Sequence, residues 1–149
     1  MAELYNPNSL PADFVKVYGG TEDSVKIFSS PARINIIGEH IDYNGGKVFP
    51  AAINRYLYVA IRKRNDTKVV YNDLKFPGRF EFDINDDFKY AKENGYANYL
   101  NGILSQIKEK GFKFDCGFEI LMVSNVPAAG GISSSSALEC GFAYAVSET

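Results

Sequence analysis

The alternation of apolar and polar positions predicts strands through the first half of the chain. Between residues 55 and 64, Leu57, Val59 and Ile61 occupy every second position, which is typical of a strand with one aliphatic face. Similar short runs occur at 25–28, 32–37, 47–53, 67–73 and 79–84. Because proline interrupts strands, we expect a break at Ser29–Pro31. The pattern therefore predicts six strands in the first 84 residues.

The periodicity changes in the second half of the chain. Between residues 97 and 107, apolar residues recur at spacings of three and four, and Gly111 follows as a stop signal, which predicts an amphipathic helix. Residues 116–126 are typical of another strand, and a second helix is expected after a glycine–serine stretch. That helix has no stop signal at Ser147–Thr149, so we expect the fold to need further residues.

Composition excludes several classes of protein. The 149 residues suffice for one domain with a core, and 46% of them are hydrophobic. The net charge is −2, and the only basic run, Arg62–Arg64, is expected to be a solvated strand end, which argues against a nucleic-acid partner. No apolar run approaches membrane-spanning length, and the N-terminus does not resemble a signal peptide. Cys116 and Cys140 are expected to be free thiols, so the composition predicts a cytoplasmic protein.

The glycine–serine stretch at 125–139 has the features of a phosphate-binding loop. Two glycines allow close backbone approach, and Ser133–Ser136 fall at the predicted start of a helix, where free N–H groups and the helix dipole attract anions. The stretch lacks the lysine of a Walker A loop and the G-x-G-x-x-G pattern of dinucleotide folds. The alternative is ordinary capping by serine and turning by glycine.

A second unusual feature is a polar group at the end of an apolar strand. Glu39, His40 and Asp42 directly follow the run 32–37, and His40 is the only histidine. Carboxylates and imidazole together can bind the hydroxyl groups of a polyol. One histidine with two carboxylates is a poor zinc set, and no G-x-S-x-G nucleophile motif is present. Turn chemistry beside Asn44-Gly45 remains the simpler alternative.

These segments carry a resemblance to a known family. The stretch "ARINIIGEHIDYNGGKVFPAAI" closely resembles the signature of galactokinases, "PAAGGISSSSALE" resembles the phosphate loop of the wider GHMP family of small-molecule kinases, and "YANYLNG" resembles a third galactokinase segment. The resemblance extends from about Phe28 to the end of the chain. It implies an α+β fold, the N-terminal lobe of a two-lobed GHMP kinase (ribosomal protein S5 domain 2-like), with a mixed sheet and helices on one side, formed by residues 1–149.

The resemblance also implies a reaction and a set of site residues. The family transfers the γ-phosphate of ATP to the C1 hydroxyl of galactose with the help of Mg²⁺, and Arg33 is expected to stabilise the transferring phosphate. The galactose-binding residues implied are Glu39, His40, Ile41 and Asp42. The ATP-binding residues implied are Asn72, Tyr96, Tyr99, Ala129, Gly130, Gly131, Ile132, Ser133, Ser134 and Ser135. Of these, Ser135 is also the expected Mg²⁺ ligand.

Some positions depart from the family pattern and leave alternatives open. Ile41 replaces a common threonine and also occurs in N-acetylgalactosamine kinases, while Tyr96 replaces a usual tryptophan. A relative that senses galactose and ATP without catalysis is a further alternative, although the phosphate loop has no deletion. The family's catalytic aspartate, second Mg²⁺ ligand and third glycine-rich motif lie beyond this chain. We therefore expect an N-terminal piece that is inactive alone and that self-associates through apolar surface meant for the missing lobe.

Overall fold

One mixed sheet organises the residues that the computed structural model describes, which are 4–127 and 131–149. Its strands are β1 (Lys26–Ile37), β2 (Phe49–Lys63), β3 (Lys68–Asp73), β4 (Arg79–Asp83) and β5 (Phe118–Ser124). The helices are α1 (Leu10–Tyr18), α2 (Ala97–Glu109) and α3 (Ser134–Ser147), with short 3-10 turns at Pro7–Ser9, Glu22–Ser24, Asp42–Asn44 and Lys92–Asn94. The strand order is β1-β2-β5-β3-β4, in which β3 and β5 are parallel and the other neighbours antiparallel. The predicted α+β class with a mixed sheet is confirmed.

The main core lies between the sheet and the helices α2 and α3. Val59 and Ile61 of β2 point to this side and pack with Leu100 of α2 and Phe142 of α3, all of them fully buried. Burying an aliphatic or aromatic side chain of this size contributes about 1.5–3 kcal/mol. The strand alternation seen in the sequence therefore identifies the correct inner face of β2.

Helix α1 covers the opposite face of the sheet. The expectation of helices on one side of the sheet is therefore incomplete. Leu10 and Phe14 of α1 pack against Ala60, Leu121 and Val123, which alternate with the residues of the main core. The central strand β5 is buried from Phe118 to Val123, so both of its faces need apolar cover. The short lead-in helix supplies that cover on the second face.

Strands β1 and β2 are longer than predicted, because each joins two of the expected strands. Pro31 lies inside β1 and pairs with Tyr56, and the register shifts before Arg33 pairs with Ala52. β1 is an edge strand, where a residue without an N–H group is tolerated. The predicted break at Ser29–Pro31 is therefore wrong, since these residues pair in regular register with β2 and the strand continues beyond them. In the described part of the chain, the residues 31–37 and 49–56, here called the β1–β2 ribbon, form strand pairs with each other and with no third strand.

The basic run is not the solvated strand end that the sequence suggested. Arg62 donates two hydrogen bonds to one carboxylate oxygen of Glu119, at 3.0 and 2.6 Å, and a third to the carbonyl oxygen of Gly19 at 3.0 Å. Arg64 donates to the other carboxylate oxygen of Glu119 at 2.7 Å. The run instead links β2, β5 and the end of α1. Among the described residues, no helix is long and apolar enough to cross a membrane.

Candidate functional site

The loop between β1 and β2, residues 38–48, carries the four residues predicted to bind galactose. Its path depends on backbone conformations that few residues allow. Gly38 has φ +102°, and a Cβ built there would lie 2.7 Å from the carbonyl oxygen of Lys47. His40 has φ 62°, which is uncommon for a residue other than glycine. The loop therefore turns sharply at the end of β1, and Glu39, His40, Ile41 and Asp42 follow one another around that turn.

Hydrogen bonds within the loop fix its shape. The N–H groups of Asn44 and Gly46 donate to the carbonyl oxygen of Ile41 at 3.2 and 2.8 Å. The side-chain amide of Asn44 donates to the carbonyl oxygen of His40 at 3.1 Å, and Nδ1 of His40 lies 3.0 Å from the hydroxyl oxygen of Tyr43. The loop is thus ordered by its own backbone and by His40.

The two carboxylates of the loop are available to a ligand. Glu39 and Asp42 are exposed, and among residues 4–127 and 131–149 neither carboxylate accepts a hydrogen bond. Ile41 has a structural role instead, because its side chain packs over Gly46. A Cβ added at Gly46 would lie 2.9 Å from the Cβ of Ile41. The turn chemistry considered from the sequence therefore accounts for Ile41 and Asn44 and leaves the carboxylates without a structural partner.

A backbone contact joins this strand to the glycine–serine loop. The N–H group of Arg33 in β1 donates to the carbonyl oxygen of Ile132 at 3.4 Å. The Arg33 side chain is exposed beside this contact. Residues far apart in the chain, in the predicted galactose signature and the predicted phosphate loop, are therefore neighbours in the fold.

The second half of the glycine–serine loop has the conformation of an open helix start. Gly131 has φ +67° and Ser133 has φ 60°, and α3 begins at Ser134. The Ser133 side chain makes no capping hydrogen bond, so capping does not explain this serine. Ala129 and Gly130, which were also predicted to bind ATP, lie outside the described residues.

A cavity of about 230 Å³ lies beside the start of α3. Its walls include Tyr96 and Tyr99, predicted to lie near adenine, and Ser134 and Ser135, predicted to bind phosphate. The remaining walls come from the sheet, its connecting loops and α3: Leu57, Asp73, Phe76, Met122, Ser124, Val126 and Leu138. The fold thus brings the expected base-binding and phosphate-binding residues around one space.

Asn72 does not line this cavity, and its neighbour Asp73 does. The hydroxyl oxygen of Tyr18, on the α1 side of the sheet, lies 3.0 Å from Oδ1 of Asn72. Tyr71 points into the main core on the other side, next to α2 and α3. Because side chains alternate along a strand, Asp73 shares the face of Tyr71. Counting alternate positions from the buried Tyr71 would have identified Asp73 from the sequence.

Asp73 and Tyr96 are the polar groups in the apolar part of the cavity. Burial raises the pKa of the Asp73 carboxyl, while the N–H groups of Lys75 and Phe76, 2.7 and 3.0 Å from Oδ1, partly oppose that rise. Burial, together with the charge of Asp73, raises the pKa of Tyr96, so its hydroxyl stays protonated. Among the described residues, this buried hydroxyl has no hydrogen-bond partner. The cavity therefore offers the Asp73 carboxyl group to a ligand, in addition to the serine hydroxyl groups of its wall, while the Tyr96 hydroxyl is buried from solvent.

The described residues do not contain a complete metal site. No group of three or more histidine, cysteine or acidic side chains is close enough together within residues 4–127 and 131–149 to hold an ion. Ser135 offers one hydroxyl oxygen at the cavity wall, where it could act as a ligand to a magnesium ion that arrives with a nucleotide.

Two family profiles match the chain in the parts that build this site. The profile described as "GHMP kinases N terminal domain" matches residues 98–149, which include the glycine–serine loop and α3. The profile described as "Galactokinase galactose-binding signature" matches residues 12–63, which include β1, β2 and the loop between them. Both profiles therefore agree with the resemblance to galactokinases and to the wider GHMP family that the sequence motifs indicated.

Curated galactokinases are similar to this chain in sequence. The galactokinase of Clostridium tetani is 44% identical over 134 residues, which are 90% of this chain and 33% of that protein. The galactokinase of Lactococcus lactis subsp. cremoris is 42% identical over 134 residues, 89% of this chain and 33% of that protein. The chain therefore spans about a third of the length of these relatives and corresponds to their N-terminal part.

Solved structures agree with this assignment. The Lactococcus lactis galactokinase complexed with galactose superposes with a TM-score of 0.81 and 41% identity, over 89% of this chain and 34% of that one. The mevalonate kinase of Methanococcus jannaschii superposes with a TM-score of 0.72 over 85% of this chain and 40% of that one, and its 21% identity supports the fold alone. The predicted GHMP fold is confirmed.

Proposed function

We propose that this chain is the N-terminal part of an ATP-dependent galactokinase, which transfers the γ-phosphoryl group of ATP to the C1 hydroxyl of galactose. The observation that carries the proposal is the hydrogen bond between Arg33 and Ile132, which joins the galactose signature to the glycine–serine loop. Enzymatic phosphoryl transfer requires donor and acceptor to be held together and negative charge to be neutralised. A fold that joins these two motifs meets the first requirement.

Galactose is held by the loop between β1 and β2. Glu39 and Asp42 accept hydrogen bonds from its hydroxyl groups, and His40 donates or accepts through the ring nitrogen that does not face Tyr43. Both carboxylates are exposed, so a sugar can reach them. Ile41 shapes the turn and contacts the sugar at its edge. Further support comes from the Lactococcus lactis structure, which was solved with galactose.

Arg33 neutralises charge on the transferring phosphoryl group. Its side chain is exposed, and its backbone is fixed to Ile132 in the glycine–serine loop. A guanidinium group is permanently charged and can donate several hydrogen bonds to phosphate oxygens at once. This arrangement suits an arginine that acts on the phosphate as it passes from ATP to the sugar.

ATP binds along the glycine–serine loop and in the adjoining cavity. Its phosphates lie against residues 129–135, a stretch in which Gly131 and the start of α3 present backbone N–H groups. Adenine enters between Tyr96 and Tyr99, and Asp73 takes the part first assigned to Asn72. The Asp73 side chain at the cavity wall is suited to accept a hydrogen bond from an amino group of the base.

The proposal also includes a Mg²⁺ ion that binds together with ATP. Ser135 would contribute one oxygen ligand, and the phosphates and water molecules would contribute most of the others. The ion would neutralise phosphate charge that Arg33 does not reach. A cytoplasmic location also belongs to the proposal and is testable by cell fractionation.

The test is phosphorylation by the full-length protein that contains this chain. We expect ATP-dependent phosphorylation of galactose, faster than that of N-acetylgalactosamine, and a loss of at least 100-fold in kcat for Arg33→Ala. Arg55→Ala is the matched control, because Arg55 lies in the same ribbon and donates only to the adjacent carbonyl oxygen of Asn54. Faster turnover of N-acetylgalactosamine would favour that kinase, and sugar binding without turnover would favour a sensor.

A further inference from the structure

We infer that Gly141 is a positioning residue for phosphoryl transfer, because its close contact with Ser30 sets the separation between the start of α3 and Arg33. The inference rests on the proposed function and concerns a residue outside both ligand-binding motifs. Gly141 lies two turns into α3, and Ser30 lies in β1. Both are buried where the helix crosses the strand.

The contact leaves no room for a side chain at position 141. A Cβ built on Gly141 would lie 2.8 Å from the Cβ of Ser30 and 3.5 Å from Cδ2 of Leu57. Carbon atoms in contact prefer a separation of about 3.5–4.0 Å. The Cβ of Ser30 is attached to the strand backbone and cannot rotate away. An alanine at position 141 would therefore move α3 away from β1 by about 1 Å.

The same helix and strand meet again close to the reacting groups. Along α3, the seven residues from Gly141 back to Ser134 span about 10 Å. Along β1, the three residues from Ser30 to Arg33 also span about 10 Å. The second meeting point is the hydrogen bond from the Arg33 N–H to the carbonyl oxygen of Ile132, just before α3. Helix and strand thus form one seam, with Gly141 at one end and Arg33 at the other.

A change at Gly141 would be transmitted to the site, because a helix moves as a rigid body. The hydrogen bond from Arg33 to Ile132 is already long at 3.4 Å and would break first. Ser134 and Ser135 at the cavity wall would then shift relative to Arg33 and the galactose loop. Displacements of this size commonly cost about 100-fold in rate.

A need for helix stability does not explain the glycine. Glycine weakens a helix interior relative to alanine, so α3 would be more stable in isolation with alanine at this position. Gly102 in α2 is the matched case, since among residues 4–127 and 131–149 no atom outside its chain neighbours and its own helix backbone lies within 4 Å of a Cβ built there. Comparing the two glycines therefore separates close packing from helix propensity.

The experiment uses four variants of the full-length protein. We expect Gly141→Ala to lower kcat for galactose phosphorylation by 10- to 100-fold, with the KM for galactose changed less than threefold. Adding Ser30→Gly removes the clashing Cβ and should restore kcat to within about threefold of wild type, whereas adding Ser30→Ala keeps that Cβ and should not. Gly102→Ala should match wild type. If Gly141→Ala alone does not fold, the yield of folded protein is measured in place of kcat. Adding Ser30→Gly should then restore that yield, and adding Ser30→Ala should not.

A second measurement separates this inference from the proposed function. Amide hydrogen exchange at Arg33 should become at least tenfold faster in Gly141→Ala and return towards wild type with Ser30→Gly. A wild-type protein without galactose kinase activity would refute the proposed function, and the exchange data would still decide whether the seam exists. Equal kcat in Gly141→Ala and wild type, or equal rescue by Ser30→Ala and Ser30→Gly, would overturn the inference.

Discussion

At the scale of single residues, the buried carboxyl group of Asp73 links the stability of the fold to pH. Burial raises the pKa of its carboxyl above the ordinary value of 3.8. The native protein therefore keeps this proton at pH values where the unfolded chain has lost it. As the pH rises from the ordinary pKa through the raised one, this group makes folding progressively less favourable.

We predict that Asp73→Asn removes this pH-dependent loss of stability. The amide keeps an oxygen that can accept from the N–H groups of Lys75 and Phe76, but it carries no charge. As the pH rises from acidic to neutral, the free energy of unfolding of the variant should increase relative to that of wild type. Urea denaturation at several pH values measures that difference. A constant or decreasing difference would show that Asp73 is not destabilised by burial.

Asp42→Ala in the full-length protein should weaken galactose binding. Losing a hydrogen bond to a charged group costs about 1.5–3 kcal/mol. This corresponds to a rise in the KM for galactose of roughly 10- to 150-fold. Asp87→Ala is the control, because Asp87 is an exposed carboxylate outside the loop, and its ion pair with Lys89 spans 3.8 Å. A normal KM in a folded Asp42→Ala protein would exclude this carboxylate from the sugar site.

At the scale of elements, Gly131→Val tests the glycine–serine loop. Gly131 has φ +67°, and the described residues leave a Cβ there free of contacts within 4 Å. The substitution adds backbone strain of about 1–2 kcal/mol and a side chain where phosphate is expected. Gly111→Val is matched, since Gly111 has φ +88° and the same open surroundings at the end of α2.

We expect both valine variants to lose similar stability and only Gly131→Val to lose ATP binding. Calorimetry on the full-length proteins measures their affinity for ATP. Urea denaturation measures the loss of stability that the backbone strain causes in both variants. Normal ATP affinity in Gly131→Val would mean that the loop only starts a helix. Weak ATP binding in both variants would mean that general strain, rather than the loop, is responsible.

The ion-pair network of β2 and β5 should be a main contributor to stability. Glu119 is only 9% exposed and accepts from both Arg62 and Arg64. Glu119→Gln would leave two half-buried guanidinium groups with less than their full complement of acceptors, at a cost of about 2–3 kcal/mol. Glu81→Gln, which breaks an exposed pair with Lys68, should change the free energy of unfolding little. Equal effects of the two changes would refute a special role for Glu119.

The elements also show why the sequence predicted some features and missed others. The period-two pattern identified the inner face of β2, and the spacing of apolar residues identified α2, because both patterns report burial directly. The two strands expected within β1 proved to be one because Pro31 is harmless in an edge strand, and sequence does not reveal which strand is at the edge. The part played by Arg62 was missed for a similar reason, since Glu119 is distant in the chain.

At the scale of the whole molecule, the β1–β2 ribbon and its loop present an apolar surface. Ile36 and Phe49 are each 60% exposed, Ile37 is 70% exposed, and Tyr43 is 73% exposed. A two-stranded ribbon is marginally stable in water unless something packs against it. The chain spans about a third of the length of its galactokinase relatives, so residues beyond this third are suited to cover the ribbon. The sequence alone indicated the missing part but could not indicate which surface it would cover.

We predict that residues 1–149 alone do not phosphorylate galactose. The chain supplies Arg33, the galactose loop and one serine oxygen for Mg²⁺, but the described residues contain no cluster of acidic side chains beside the cavity that could complete the metal site. An assay of ADP release with galactose and Mg²⁺–ATP should show no sugar-dependent turnover. Turnover that is lost in Arg33→Ala would show that the catalytic machinery lies within this chain.

The same chain should self-associate through the ribbon. Exposed apolar area of this kind drives association in water. Sedimentation should show concentration-dependent oligomers for residues 1–149, and Ile37→Lys should shift them towards monomer. Phe112→Lys is the control, because Phe112 is 68% exposed but lies beyond the end of α2, outside the ribbon. If both lysine variants dissociate equally, association depends on general hydrophobicity and charge. If neither does, the ribbon is not the contact surface.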